Sequence, residues 1–144
     1  MPIDAVAITG IGIVCALGTD RAQVAANARA GKRPFAPIRA FDATAFKVNL
    51  AAEVSDLDIE GRFGQNRARH LSRADQFALW AASDALAHAD LTANVEALRD
   101  TSVFVGASSG GMLEMETSRL HGGPIPAWVY RRYPVWATAS LLAR

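Results

Sequence analysis

The chain has 144 residues, 51% of them hydrophobic and 20% charged, with a mean hydropathy of +0.11. That length suits one domain with a buried core, and it excludes a disordered chain, which is poor in apolar residues and high in net charge. Fifteen basic residues against fourteen acidic ones leave a net charge of +1, too little for the electrostatic footprint of a nucleic-acid binder. Cys15 is the sole cysteine, so no internal disulfide forms and no thiolate zinc site is built. No metal or cofactor is expected. Residues 1–4 open without the basic and apolar regions of a secretion signal, and no apolar run is long enough to cross a bilayer. The expectation is a soluble, cytoplasmic α/β chain with neither membrane nor nucleic acid among its partners.

In chain order, Ala5-Val6-Ala7-Ile8-Thr9 is a β-prone run, apolar on both faces like a strand in the middle of a sheet. A small-residue loop follows from Gly10 to Gly18. A helix is predicted over about 20–30, capped by Thr19 or Asp20 and stopped at Gly31. Pro34 and Pro37 make 32–42 a loop, and 48–54 reads as a short strand. The clearest helix starts at Ser72-Arg73-Ala74-Asp75, a capping-box pattern. There Leu71, Ala74, Ala78, Ala81, Ala85 and Ala89 recur at three- and four-residue steps and make one apolar stripe. The stripe is mostly alanine and predicts close packing against other helices. Ser102-Val103-Phe104-Val105 is a second buried strand, expected beside the first. Met112 to Leu120 reads as a helix with Glu114 and Glu116 near its start, and 135–143 as another.

Several motifs mimic known chemistry and stop short of it. Gly10-Ile11-Gly12 follows a strand as in a dinucleotide fingerprint, but Cys15 stands where the third glycine belongs. Gly106 and Gly111 have P-loop spacing, with Met112-Leu113 in place of the lysine and hydroxyl residue. Gly106-Ala107-Ser108-Ser109-Gly110 matches the nucleophile elbow G-x-S-x-G between strand and helix. A Ser108 nucleophile needs a histidine and an orienting acid, and only Glu114, Glu116 and His121 follow it. Cys15 sits among Ile13, Val14, Ala16 and Leu17 as a small buried hydrophobe. Arg62, Arg67, Arg69 and Arg73 form a basic stretch, either a solvated face or a docking surface for an acidic partner.

Four blocks carry a family resemblance: Val6-Ala7-Ile8-Thr9-Gly10-Ile11-Gly12 with Cys15-Ala16-Leu17-Gly18; Phe41-Asp42; Ser72-Arg73-Ala74-Asp75-Gln76-Phe77-Ala78; and the run from Val103 to the paired glycines Gly110 and Gly111. His121-Gly122-Gly123-Pro124 continues them. In order and spacing the chain resembles the N-terminal part of a β-ketoacyl-acyl-carrier-protein synthase, a condensing enzyme of the thiolase fold.

The resemblance implies an incomplete N-terminal portion of an α/β thiolase-like fold, a mixed sheet with packed helices, and it covers 1–144 as one ketosynthase-like part. It implies an acyltransferase of fatty acid or polyketide elongation. Such an enzyme loads an acyl group on a cysteine, decarboxylates malonyl-carrier protein with two histidines and joins the two by Claisen condensation. The cysteine belongs to a Thr-Ala-Cys-like block that this sequence lacks, and Cys15 does not align with it. No catalytic residue is therefore assigned, and the chain alone is expected to be inactive. It is expected to be a fragment, a truncated frame or one piece of a split enzyme whose C-terminal half is missing. Ser109, Gly110 and Gly111 are the implied acyl-binding residues; the small Ser109 either borders the acyl tunnel or simply completes a tight turn. Arg69 and Arg73 are implied to dock the acyl carrier protein, with Arg131 and Arg132 as a further basic pair. The implied assembly is a homodimer or a pair with another ketosynthase-like subunit. Two alternatives stand beside it: a non-catalytic carrier-binding or dimerisation module, and the Ser108 hydrolase.

Overall fold

The computed structural model describes residues 5–54 and 57–143. The expectations for residues 1–4 and for Arg144 lie outside them. Helix α1 spans Arg21–Arg29, and Asp20 caps it by accepting a hydrogen bond from the Gln23 N–H at 2.8 Å. Gly31, at φ +65°, turns the chain away just beyond it. Strands β1 (Ala36–Pro37) and β2 (Leu50–Ala51) pair antiparallel, Ala36 opposite Ala51. The strand expected over 48–54 is thus two residues long, and its partner lies within 32–42, which the prolines mark as a loop. Two short helices, α2 (Ile59–Phe63) and α3 (Gln65–Ala68), meet at Gly64, whose φ of +83° suits glycine.

Helix α4, Arg73–His88, is the longest element, and it carries the predicted capping box. Ser72 accepts from the Asp75 N–H while the Asp75 carboxylate accepts from the Ser72 N–H. After α5 (Val95–Leu98), helix α6 covers Met112–Leu120 as expected. Helices α7 (Ala127–Arg132) and α8 (Ala137–Leu142) complete the described chain. Pro126 at the N-cap marks the start of α7, and Pro134 lies between α7 and α8. Sequence periodicity does not resolve α7, because six residues hold less than two turns. The core gathers Ile59, Ala68, Leu71, Leu79 and Leu141, with Leu57, Phe63, Trp80 and Leu142 packed against it.

Two expectations are corrected. Residues 5–9 and 102–105 form no strands; among the described residues the one named ladder is β1–β2. Val6, Ile8 and Phe104 are 95%, 84% and 92% exposed. A strand apolar on both faces gains only when layers cover both; among the described residues 5–9 are exposed throughout, and of 102–105 only Val103 and Val105 are half-buried. The alanine stripe of α4, expected to pack against other helices, meets a loop at Ala81, Ala85 and Ala89. A Cβ on Gly10 would run into the Ala85 carbonyl and the Ala89 methyl, and one on Gly12 into the Ala81 carbonyl. The Gly10-x-Gly12 pattern therefore serves close backbone contact with the Ala81–Ala85–Ala89 face. His88 fastens the same loop, its Nδ1 accepting from the Ile11 N–H at 3.0 Å.

Candidate functional site

The paired glycines sit where α6 begins, and their position follows from backbone contact. The Gly111 N–H donates to the Arg132 carbonyl at 2.9 Å. A Cβ on Gly111 would lie 2.8 Å from that oxygen, and one on Gly110 would lie 2.7 Å from the Tyr133 carbonyl and 2.9 Å from that of Pro134. Only glycine lets the turn seat against the α7–α8 junction. Gly111 is buried, Gly110 half-buried and Ser109 exposed at the lip. The structure thus brings Gly110 and Gly111 to the α7–α8 junction, with Ser109 exposed beside them.

Beneath that turn lies a polar hub that sequence reasoning placed only as a helix cap. Asp75 is fully buried; its Oδ1 accepts from Thr138 Oγ1 at 2.8 Å, and its Oδ2 lies 3.5 Å from Arg132 Nε. Thr138 and Ser72 are buried with it. Glu114, the second acid near α4, accepts from the Arg73 N–H at 2.6 Å across 41 positions and ties α6 to the start of α4. Among the described residues its Oε2 is buried without a hydrogen-bond partner. Negative charge at this end of α4 suits the helix dipole. An acid one turn into a helix reads as solvent-facing when taken alone, and only the arrival of α6 and α8 buries these two.

The four arginines of the basic stretch part company. Arg62 folds over Trp80, 4.4 Å from its ring, and pairs with Asp84 at 2.5 Å. Arg73 lies 4.6 Å above the Phe77 ring, donates to Gln76 Oε1 at 3.1 Å and also bonds the Val54 carbonyl. Both are held by their own chain. Arg67 and Arg69 are exposed; among the described residues the Arg69 side chain bonds Asn66 of the short helix that Arg69 caps. Arg131 is exposed as well, whereas Arg132 is half-buried and turned inward to Asp75 and to the His70 carbonyl at 3.4 Å.

Neither nucleophile candidate finds the groups that would activate it. Ser108 is exposed. His121 Nδ1 is 2.7 Å from the Thr117 carbonyl, at the far end of a nine-residue helix, about 13 Å of helix away. Glu114 is engaged with Arg73, so no triad assembles on Ser108 among the described residues. Cys15 is half-buried in a tight turn closed by the Cys15–Gly18 bonds. It borders a cavity of about 280 Å³ with Gln23, Asn27 and Glu53, and no histidine, lysine or arginine lines that cavity. The partners that activate a thiol are missing there.

The chain is similar to the ishigamide ketosynthase/chain length factor, with a TM-score of 0.75 and 27% identity over 95% of this chain and 36% of that one. It is also similar to a β-ketoacyl synthase from Burkholderia phymatum STM815, with a TM-score of 0.73 and 25% identity over 92% of this chain and 34% of the other. The class defined is therefore the thiolase-like ketosynthase fold, present here in part. The family model for the β-ketoacyl synthase N-terminal domain matches residues 4–143, and the chain belongs to that family.

Among curated relatives, a 3-oxoacyl-[acyl-carrier-protein] synthase 2 of Staphylococcus aureus (strain COL) is 32% identical over 111 residues, 77% of this chain and 27% of the relative. One of Coxiella burnetii is 34% identical over 107 residues, 74% of this chain and 26% of the relative. The chain matches about a quarter of the length of these relatives. Among the described residues no helix is long and apolar enough to cross a membrane.

Proposed function

We propose that the chain is the N-terminal scaffold of a β-ketoacyl-acyl-carrier-protein synthase that elongates acyl chains in fatty acid or polyketide synthesis. The observation that carries this reading is the family match across residues 4–143, joined to a fold shared over 95% of the chain. In the proposed reaction a cysteine thiolate outside this chain displaces the carrier thiol from an acyl thioester. Malonyl-carrier protein loses carbon dioxide with the help of two histidines, also outside the chain. The resulting carbanion attacks the acyl carbonyl and expels the thiolate, leaving a product two carbons longer.

The part assigned to this chain is positional. Ser109, Gly110 and Gly111 border the acyl tunnel, and the small Ser109 leaves room for medium or long acyl groups. The acidic carrier protein docks on the basic stretch. Arg69 is the stronger of the two predicted residues, because Arg73 is already committed to Phe77, Gln76 and Val54. The assembly is cytoplasmic and pairs with a second copy or with a ketosynthase-like partner subunit.

Two tests bear on this. A coding frame that continues past Arg144 into a Thr-Ala-Cys block supports the reading, and a stop codon there favours a carrier-binding or dimerisation module. In the longer synthase, Arg69→Glu should raise the apparent KM for carrier protein several-fold at low salt and much less at high salt. An unchanged KM at low salt would return Arg69 to a solvated face.

A further inference from the structure

We infer that Asp75 is the positioning residue that couples the paired-glycine turn to helix α8. The contacts form one continuous path. The Gly111 N–H holds the Arg132 carbonyl at 2.9 Å, Arg132 Nε lies 3.5 Å from Asp75 Oδ2, and Asp75 Oδ1 receives the Thr138 hydroxyl at 2.8 Å. Asp75 is fully buried on α4, and Thr138 is 2% exposed at the second position of α8. A buried carboxylate is costly unless each oxygen is satisfied. Here both are, by groups from the α4 cap, α7 and α8. Moving either α7 or α8 would strand the charge, so the carboxylate fixes both elements at once.

The inference rests on the proposed ketosynthase reading for its consequence only. On that reading the glycine turn borders the acyl tunnel and the nucleophile block follows α8, so Asp75 holds acyl site and nucleophile in register. The Arg132 arm depends on charge. The Thr138 arm depends only on a hydrogen bond, because a hydroxyl either donates or accepts.

The two arms are separable by amide hydrogen exchange on the 144-residue chain, read at Gly111, at Ser140 and Leu141 of α8, and at Val24 of α1 as the remote reference. Thr138→Val should speed exchange at Ser140 and Leu141 about tenfold or more and leave Gly111 and Val24 near wild type. Thr138→Ser should restore the slow rate. Asp75→Asn should show the reverse pattern: its amide donates to the Thr138 hydroxyl and spares α8, while loss of charge frees Arg132 and speeds Gly111. Asp75→Ala should speed both arms. If that variant does not fold, the opposite selectivity of Thr138→Val and Asp75→Asn still decides the matter. Equal acceleration at all four amides, or an unchanged Gly111 in Asp75→Asn, would overturn the proposal. Exchange reports local opening whether or not the longer protein condenses acyl groups, so failure here is distinct from failure of the ketosynthase reading.

Discussion

Asp42 shows how one side chain sets a local turn in this protein. The Thr44 hydroxyl donates to its Oδ1 at 2.7 Å and the Thr44 N–H donates at 3.0 Å. Both bonds favour the charged carboxylate, the hydroxyl most, and they hold its pKa below the usual carboxylate range. A depressed carboxylate contributes its stabilisation above the ordinary carboxylate pKa and loses it as pH falls through the lower, folded value. Acid should therefore open the 42–44 turn only below the pH at which free aspartates titrate. An NMR titration of the Asp42 carboxyl should give a midpoint below the free-aspartate value, and Thr44→Val should move it back up. An Asp42 midpoint unaffected by Thr44→Val would remove the hydroxyl from this account.

At the level of elements, the Gly10-x-Gly12 loop and the alanine stripe of α4 form one joint. Neither tolerates a larger neighbour, because the Gly12 position faces the Ala81 backbone itself and not the end of a flexible side chain. Gly12→Ala should destabilise the chain by about 1–3 kcal/mol, the usual range for overpacking a tight contact. Gly106→Ala, with open space around the Cβ, should change stability by no more than about 0.5 kcal/mol. Denaturant melts of the two variants decide it; equal losses would mean the loop does not rest on α4. The sequence made α1, α4 and α6 legible because each carries a capping signal or a full apolar period, and the alanine stripe announced a close approach. It could not show that the partner of the stripe included a glycine loop, since a two-glycine pattern reads equally as a turn or as a phosphate cradle. The hub at Asp75 was hidden for a different reason. Its partners Arg132 and Thr138 are 57 and 63 positions away, and no local pattern records such contacts.

For the molecule as a whole, the apolar surface is the informative feature. Val6, Ile8 and Phe104 are almost fully exposed on the two segments that read as central strands. Apolar runs of this kind, left uncovered, favour association. Replacing Ile8 and Phe104 by threonine should reduce self-association in sedimentation velocity while shifting stability by no more than about 0.5 kcal/mol. A large loss of stability would show that both side chains are buried in solution. Sequence alone does not settle these strands, because apolar residues on both faces indicate what a segment requires, and the neighbours that meet the requirement are not local.

The scaffold role proposed for the chain leaves the nucleophilic cysteine and both histidines elsewhere in the longer synthase. Carbon dioxide release from malonyl-carrier protein by the purified 144-residue chain tests this most directly. No release above a protein-free control is expected. Steady turnover that co-purifies with the chain and persists in Cys15→Ala would contradict it.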